Sequence, residues 1–418
     1  MNKYLILDVE TTIGNEGDPF DPRNKLCLVG LRSPSYNRIY SIQYSNDPYG
    51  DALAEIKTEI ENSKVLVGFN LKFDLHWIRR YINDINFSAG TAWDCQLVEF
   101  LLSSQRLKYP SLNEVCGFYN LGHKLDAVAT DYWEHGIDTT LVPIDLLTAY
   151  LTQDLVLTEK LFLTQQEHLQ KRKSQQFRNL CALHNADMLV LQEMEFNGIK
   201  VDLEKINEET RNVLEKLEQA DKKLRTLSNV PNEIPLNLSS NFQLSAIIYG
   251  GFIPFPVKVN KTRVYKNGTV REYEVKGIDN YKVEGFANPI KSTETAYTVD
   301  IPESKLIELQ TEAKENNKAI PFRKYSVDEA TLKQIKPTNK RGREFLDLLF
   351  YRIYYEQTLS TYLNKIPEMI EGRHWENNII HGQFNQCVAR TGRLSSSKPN
   401  LQNLDTNLHH FFISRYAN

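Results

Sequence analysis

The sequence predicts an α/β domain over about residues 1–170, followed by a mainly helical region over about residues 171–418. In the first part, short apolar runs typical of buried strands alternate with segments whose apolar residues recur at helical spacing. Beyond the polar junction at Lys171–Lys173, long helical periodicity predominates. A chain of 418 residues can form two or three domains with sizeable cores.

The first predicted strand, Tyr4–Thr12, carries two carboxylates, Asp8 and Glu10. Side chains two residues apart in a strand point to the same face, so these carboxylates project together. Two anions this close repel each other unless a cation lies between them, and carboxylate oxygens suit magnesium or manganese. A strand end with two solvated acids would look the same, so the remaining carboxylates must decide between these interpretations.

The elements that follow alternate in type. We predict strands at Leu26–Leu31, Arg38–Gln43 and Val65–Phe69, and a helix at Leu53–Asn62.

Three further acids lie on predicted helices or at their ends. Asp74 falls a few residues into the helix that follows Asn70, and Asp94 is expected to be a helix cap rather than a ligand. Tyr150 and Asp154 are four residues apart in a helical segment, so they share one face of that helix.

In chain order, Asp8-x-Glu10, Asn70-x-x-x-Asp74 and Tyr150-x-x-x-Asp154 resemble the three motifs of 3′–5′ exonucleases with a ribonuclease H-like fold. The tyrosine places the resemblance in the subclass that has Tyr in the third motif. The implied fold is a mixed sheet flanked by helices, and the implied cofactors are two divalent ions, Mg²⁺ or Mn²⁺.

The resemblance also implies a role for each residue, including Asn70, which is expected to contact DNA. Asp8 would bridge both ions, and Glu10 and Asp154 would hold the ion that activates water. Asp74 would steady the second ion, and the Tyr150 hydroxyl would orient the attacking water. Two ions of this kind can hydrolyse a phosphodiester without a protein nucleophile.

The second half begins with the turn Phe196–Asp202 and a long helix from Leu203 with one apolar seam. Ser240 and Gln243 then predict a capping box, whose helix ends at Gly250-Gly251. The helix start, with Ser239 and Ser240, could also take a phosphate, although structural capping is the default interpretation.

Residues 252–325 are predicted to form a β-rich, basic insertion with a hairpin at Asn267-Gly268. It is either a solvated ribbon or a contact surface for duplex DNA or for a replication partner such as a processivity factor. Buried helix is predicted to return at Glu344–Ile370.

The stretch Thr391–Asn403 resembles family A DNA polymerases, which include the bacterial repair polymerase and many bacteriophage replicases. The resemblance implies that Arg393 contacts the minor-groove edge of the primer-terminal base pair, where acceptors occur at every correct pair. Asn400, Gln402 and Asn403 would contact the primer-template nearby. Phe196–Asp202 and Asn237–Leu244 also look like that family's thumb, so residues 171–418 are expected to form a thumb and the first palm segment.

In that family the first catalytic palm aspartate follows shortly after a segment like His410–Ser414, whereas this sequence ends at Asn418. We therefore expect an N-terminal part of a bacteriophage-type polymerase that polymerises only with the missing palm and fingers; it is either a piece of a longer polypeptide or one product of a split gene. If a separately encoded palm-and-fingers polypeptide exists, the apolar residues of Thr391–Asn418 are expected to bind it, because unpaired strand edges accept further strands.

Composition limits the alternatives. Residues 1–170 carry 14 basic and 23 acidic residues (net −9), and the rest carry 36 and 30 (net +6), which suits metal chemistry followed by a phosphate-contacting surface. Five cysteines without paired spacing predict neither a zinc site nor disulfides, and no signal peptide or membrane span is apparent, so we expect a cytoplasmic protein, in a host cell if viral. A stand-alone 3′–5′ exoribonuclease and a non-catalytic DNA-binding fragment remain the alternative hypotheses.

Overall fold

The computed structural model describes residues 4–42, 51–290 and 302–415. The chain forms two compact units, one of residues 1–206 together with 365–418 and one of residues 207–364. This division differs from the boundary expected near residue 170, because Met188 and Cys387 are buried in the same apolar core as the first strand.

The first unit is built on a five-stranded mixed sheet in the order β3-β2-β1-β4-β5. β1 pairs antiparallel with β2 and parallel with β4, and β5 continues the parallel part. The strands are β1 (Leu5–Thr11), β2 (Leu26–Ser33), β3 (Tyr36–Ser41), β4 (Val65–Gly68) and β5 (Thr91–Asp94). The predicted strands are confirmed, except that Gln43, the expected end of β3, lies outside the described residues.

Helices cover both faces of this sheet, and β1 shows why. Leu5, Leu7 and Val9 are buried in one apolar core, whereas Ile6 is buried in the other. Alternate residues of a strand point to opposite faces, so the row that starts at Ile6 continues through Asp8 and Glu10. The helices are α1 (Asp51–Glu61), α2 (Leu71–Tyr81), α3 (Cys95–Leu102), α4 (Leu112–Phe118), α5 (Ala127–Asp131), α6 (Ile144–Arg172) and α7 (Gln175–Asn197).

Short strands complete the first unit. Gly198, at φ 61°, turns the chain out of α7 into β6 (Ile199–Val201), as the predicted turn requires. β6 lies between two short strands that come from the end of the chain, and a separate two-stranded sheet lies nearby in sequence. These strands are β9 (Ile379–Ile380), β10 (Gln383–Asn385), β11 (Ser395–Ser397) and β12 (Phe412–Ile413).

The tail is less exposed than the sequence suggests. Phe411 is buried, and β12 is half-buried and pairs with β6 on one side. β12 is therefore an edge strand of a small sheet rather than an uncovered apolar surface.

The second unit is mainly helical and contains one long β-hairpin. α8 begins in the first unit and buries Ile206, Val213, Ala220 and Leu224 along a single seam, as predicted. The hairpin is β7 (Gly251–Val264) and β8 (Val270–Val283). The helices are α8 (Leu203–Ser228), α9 (Asn241–Tyr249), α10 (Glu303–Glu315), α11 (Glu329–Leu332) and α12 (Lys340–Thr358), followed by a π-helical turn at Leu359–Leu363. α13 (Lys365–Gly372) returns the chain to the first unit.

Three predictions for this region need correction. The insertion at 252–325 is β-rich only in its first half, because α10 forms in the second half. The capping box is half formed: the Ser240 hydroxyl accepts from the Gln243 amide, but the Gln243 side chain accepts from Asn237 instead. The segment Glu344–Ile370 is helical, yet Tyr351 is 40% exposed, so it is not buried throughout.

No helix within the described ranges is both long and apolar enough to cross a membrane. All five cysteines are free and buried.

Candidate active site

Three carboxylates converge at the centre of the five-stranded sheet. Asp8 and Glu10 lie on the face of β1 that is covered by α6, and Asp154 lies on α6. One oxygen from each of the three lies within 4.8 Å of the others. The predicted strand and helix periodicities thus bring together residues that are 144 positions apart in the chain.

Tyr150 lies one helical turn before Asp154 and is almost fully buried. Its ring packs edge-on against Trp133, with the ring centres 5.3 Å apart. Burial, together with the charge of Asp154, raises the pKa of Tyr150. The phenol therefore stays protonated near neutral pH and remains a hydrogen-bond donor.

Asp74 lies in the first turn of α2 and is 3% exposed. It does not belong to the three-carboxylate group, but burial and then the charges of Asp8, Asp94 and Glu10 raise its pKa well above the usual value. The buried Asp74 Oδ2 and Asp154 Oδ1 have no hydrogen-bond partner in the described part of the chain. Buried polar oxygens are rarely left unsatisfied, and a cation would satisfy both.

The same electrostatics act on the rest of the group. Burial raises the pKa of Asp8 to about 7, and the charge of Asp154 adds to the rise. Burial, then the charges of Asp8 and Asp154, raise the pKa of Glu10 well above its usual value. The four carboxylates are therefore poor anions without a cation and good ligands with one, since hard oxygen donors suit Mg²⁺ or Mn²⁺.

Lys124 is a residue of this site that the sequence analysis missed. Its Nζ lies 2.5 Å from Asp154 Oδ2 and 4.9 Å from the centre of the Tyr150 ring. It comes from an irregular segment between α4 and α5, so no periodicity marks it. The one available signal was indirect, because a group of buried carboxylates needs a nearby positive charge.

Asp94 is a cap, as predicted, but for two helices rather than one. Its carboxylate accepts from Gln96 N and Leu97 N at the start of α3, at 2.9 and 3.4 Å. It also accepts from Asn70 N and Leu71 N at the start of α2, at 3.1 and 3.0 Å. Because α2 carries Asp74, this cap fixes the helix that presents the fourth carboxylate.

A cleft of about 400 Å³ lies in the same unit, lined on one side by the exposed Asn70. Asn70 occupies the left-handed region at φ 60°, and its side chain does not cap α2. The buried Glu195 also lines this cleft and accepts from Lys72 Nζ (2.6 Å), His76 Nε2 (2.9 Å) and Phe384 N (2.6 Å). Glu195 thereby ties α7 and α2 to the segment 383–397, a link that the sequence did not reveal.

The remaining predicted DNA contacts lie elsewhere. Arg393, Asn400, Gln402 and Asn403 are exposed in the first unit and are not part of the carboxylate group. In the second unit, Ser239 donates to Glu356 Oε1 at 3.0 Å and accepts from Arg352 Nη2 at 3.2 Å. The Ser240 hydroxyl caps α9, so structural capping accounts for it.

Comparisons with known proteins point to DNA polymerases. Residues 302–415 match the family model "DNA polymerase family A". The DNA polymerase I of Synechocystis sp. is 39% identical over 80 residues, which cover 19% of this chain and 7% of that protein. The DNA polymerase I of Aquifex aeolicus is 22% identical over 433 residues, which cover 99% of this chain and 56% of that protein. The chain thus spans about half the length of the relative that it matches throughout.

A solved structure has a similar fold. It is described as the POL domain of Pol1 from M. smegmatis in complex with DNA primer-template and dNTP. The TM-score is 0.59 at 15% identity, and the match covers 97% of this chain and 53% of that one. At this identity the similarity concerns the fold.

Proposed function

Since the chain is related to family A DNA polymerases through residues 302–415, we propose that it is a polymerase segment that carries a metal-dependent 3′–5′ exonuclease. The observation that carries this proposal is the convergence of Asp8, Glu10 and Asp154 within 4.8 Å, beside the buried Asp74. None of these acids lies within residues 302–415, so the proposed hydrolytic site is separate from the region that matches the polymerase family. Proofreading is the biological role that this combination suggests.

The residues present fit divalent ions, because two buried carboxylate oxygens have no hydrogen-bond partner among the described residues and the pKa values of Asp8 and Glu10 are raised. Asp8, Glu10 and Asp154 would hold the ions, with Asp74 alongside. When bound, such ions activate water and neutralise the leaving 3′ oxygen.

The chain's own residues have two further tasks. The protonated Tyr150 hydroxyl donates a hydrogen bond and so orients the attacking water. Lys124 holds the Asp154 carboxylate in the absence of metal, which keeps a ligand oxygen positioned in a buried site. The backbone amide of Val9 donates to Asp8 Oδ1 at 3.1 Å and fixes that carboxylate on the strand.

Release of nucleotides from 3′-labelled single-stranded DNA in Mg²⁺ tests the exonuclease. Asp8→Ala and Glu10→Ala should abolish release, whereas Tyr150→Phe should slow it without eliminating it. Asp145→Ala is the matched control, because Asp145 is an exposed acid on the same helix as Asp154. Full activity in Asp8→Ala and Glu10→Ala would show that the metal assignment is wrong, and a preference for RNA would favour the exoribonuclease alternative.

We also propose that Arg393, Asn400, Gln402 and Asn403 contact a primer-template, since all four are exposed and lie within residues 302–415. Arg393→Ala should weaken binding to a primed duplex by about 1.5–3 kcal/mol, the usual cost of losing a charged hydrogen bond. Cleavage of short single strands should be spared. An equal loss on both substrates would indicate a folding defect instead.

Within the described ranges β12 pairs on one side only, and we propose that further polymerase strands, from the same polypeptide or from another, pair with its other edge. We also propose that the protein is cytoplasmic, and that it acts in the cytoplasm of a host cell if it comes from a bacteriophage. Primer extension that depends on added palm and fingers residues would support the proposed strand pairing, and extension by residues 1–418 alone would contradict it.

A further inference from the structure

The β7–β8 hairpin is an exposed arm anchored at its base. Ile253 and Val283, near the base, are buried in the core of the second unit. Beyond Val259 and Val275, every residue as far as the turn is exposed, including Val264 (68%) and Val270 (60%). The inner half also hydrogen-bonds to the segment 317–320, through Ile278 and Asn280. Two-stranded hairpins are only marginally stable alone, so the exposed outer half of these two 14-residue strands would be stabilised by a binding partner.

Residues 251–283 carry seven Lys and Arg against three Asp and Glu, a net charge of +4, whereas the whole chain has −3. The arm also lies outside the residues that match the polymerase family. It is therefore a local positive feature of this chain.

The strand register sorts these charges onto opposite faces. Alternate residues share a face, and the pairs Lys261↔Tyr273 and Arg263↔Arg271 place four of them together. Over the outer half of the arm, this face, here called the basic face, comprises Lys261, Arg263, Arg271 and Tyr273 between Val259 and Val275. It contains no carboxylate.

The other face is electrically balanced over the same length. Lys258 pairs across the strands with Lys276, and Glu272 and Glu274 lie on the same face. Lys258 Nζ forms an ion pair with Glu274 Oε2 at 2.9 Å. By contrast, none of the three cations of the basic face forms an ion pair with a described residue, although Arg263 lies 5.3 Å from the centre of the Tyr265 ring.

Like charges directly opposite each other destabilise a hairpin, and Arg263 and Arg271 are directly opposite. A bound polyanion removes that repulsion. Arginine and lysine side chains commonly contact the phosphate backbone of nucleic acids, and a neighbouring tyrosine can stack on a base.

We propose that the basic face of the β7–β8 arm binds the phosphate backbone of DNA. Lys261 and Arg263 are about 7 Å apart along one strand, with Arg271 across from them, so together they can contact about three phosphates. The test of this proposal does not depend on the proposed exonuclease, because binding is measured in EDTA, where a metal-dependent nuclease is inactive.

The test compares two triple variants by fluorescence anisotropy with a labelled DNA duplex at several salt concentrations. Lys261→Gln/Arg263→Gln/Arg271→Gln removes the basic face, and Lys258→Gln/Lys276→Gln/Lys282→Gln removes the same charge from the opposite face. Each phosphate contact contributes about 0.9 to the slope of log affinity against log salt, so the first variant should lower the slope by about 2–3. The second should leave the slope nearly unchanged.

Equal effects of the two triples would overturn the proposal, since net charge rather than the face would then govern binding. An unchanged slope in the first variant would also overturn it, because the basic face would then make no phosphate contacts. Circular dichroism during urea unfolding checks that the first variant folds. Its stability should equal or exceed that of the parent, because opposed positive charges have been removed.

Discussion

Replacement of Asp94 tests whether this buried acid is a double helix cap or a fifth metal ligand. Its carboxylate accepts four backbone N–H groups, two at the start of α2 and two at the start of α3. Loss of one N-cap costs about 1–2 kcal/mol, so Asp94→Ala should cost about 2–4 kcal/mol. Asp94→Asn can keep the three bonds made by Oδ1 and loses the one from Leu71 N, which predicts about 1–2 kcal/mol.

The chain offers a selective probe for this measurement. All four tryptophans, Trp77, Trp93, Trp133 and Trp375, lie in the first unit. Tryptophan fluorescence during urea unfolding therefore follows the unit that contains Asp94, even if the two units unfold separately. The titration is run once in EDTA and once in excess Mg²⁺.

A cap and a ligand predict different patterns. If Asp94 is a cap, each variant loses the same amount of stability in EDTA as in Mg²⁺, and the alanine variant loses more than the asparagine variant. A variant that loses only the stabilisation added by Mg²⁺ would show that Asp94 is a ligand and would refute the capping argument. An alanine variant as stable as the parent would refute it as well.

Three further predictions concern charged groups of the first unit. Asp8→Asn should stabilise the metal-free protein by about 1–3 kcal/mol, because it removes the repulsion that raises the pKa of Glu10. The variant should also lose most of the stabilisation that Mg²⁺ adds. A lower urea midpoint than that of the parent in EDTA would contradict this prediction. Lys124→Met should lower the Mg²⁺ concentration that gives half-maximal stabilisation about 5- to 10-fold, because an ammonium no longer competes with Mg²⁺ for Asp154. Lys124→Arg keeps a positive charge and should not lower it. Weaker Mg²⁺ binding by Lys124→Met would contradict this competition. Burial would raise the pKa of Glu195, but His76 and Lys72 outweigh it and lower that pKa. The ionised Glu195 thus contributes stability above about pH 4.5, and this contribution is lost as the pH falls through the lowered folded pKa. Glu195→Gln should therefore cost about 2–4 kcal/mol at neutral pH and less below about pH 4. A cost independent of pH would show that ionisation of Glu195 is not involved.

The part of the site that the sequence predicts is the part fixed by local periodicity. Asp8 and Glu10 share a face because strands have a period of two, and Tyr150 and Asp154 share one because helices have a period near four. The meeting of these two faces then needs only that α6 covers the Ile6 face of β1, which the apolar pattern of both elements favours. Each local pair was therefore predictable from the residues, whereas the meeting of the pairs in one group was implied by the resemblance to 3′–5′ exonucleases.

The contacts that the sequence does not reveal depend on where irregular segments run. Lys124 reaches Asp154 from a loop, and Glu195 reaches Phe384 from 189 positions away, so no spacing rule connects them. The helix α10 was missed for a different reason. The Asn267-Gly268 signal is strong but local, and it was extended over a segment in which Leu306 and Ala313 already follow a helical spacing.

The energetic contrast within the first unit is the strongest argument that the acids are functional. Asp94 and Glu195 are as buried as Asp74, yet each satisfies its carboxylate with three or four donors. Asp74 Oδ2 and Asp154 Oδ1 find no donor among the described residues. The fold thus supplies hydrogen-bond donors to two buried acids but leaves an oxygen of each of two others unsatisfied, which costs stability locally. Buried oxygens without donors are expected where a ligand completes a site.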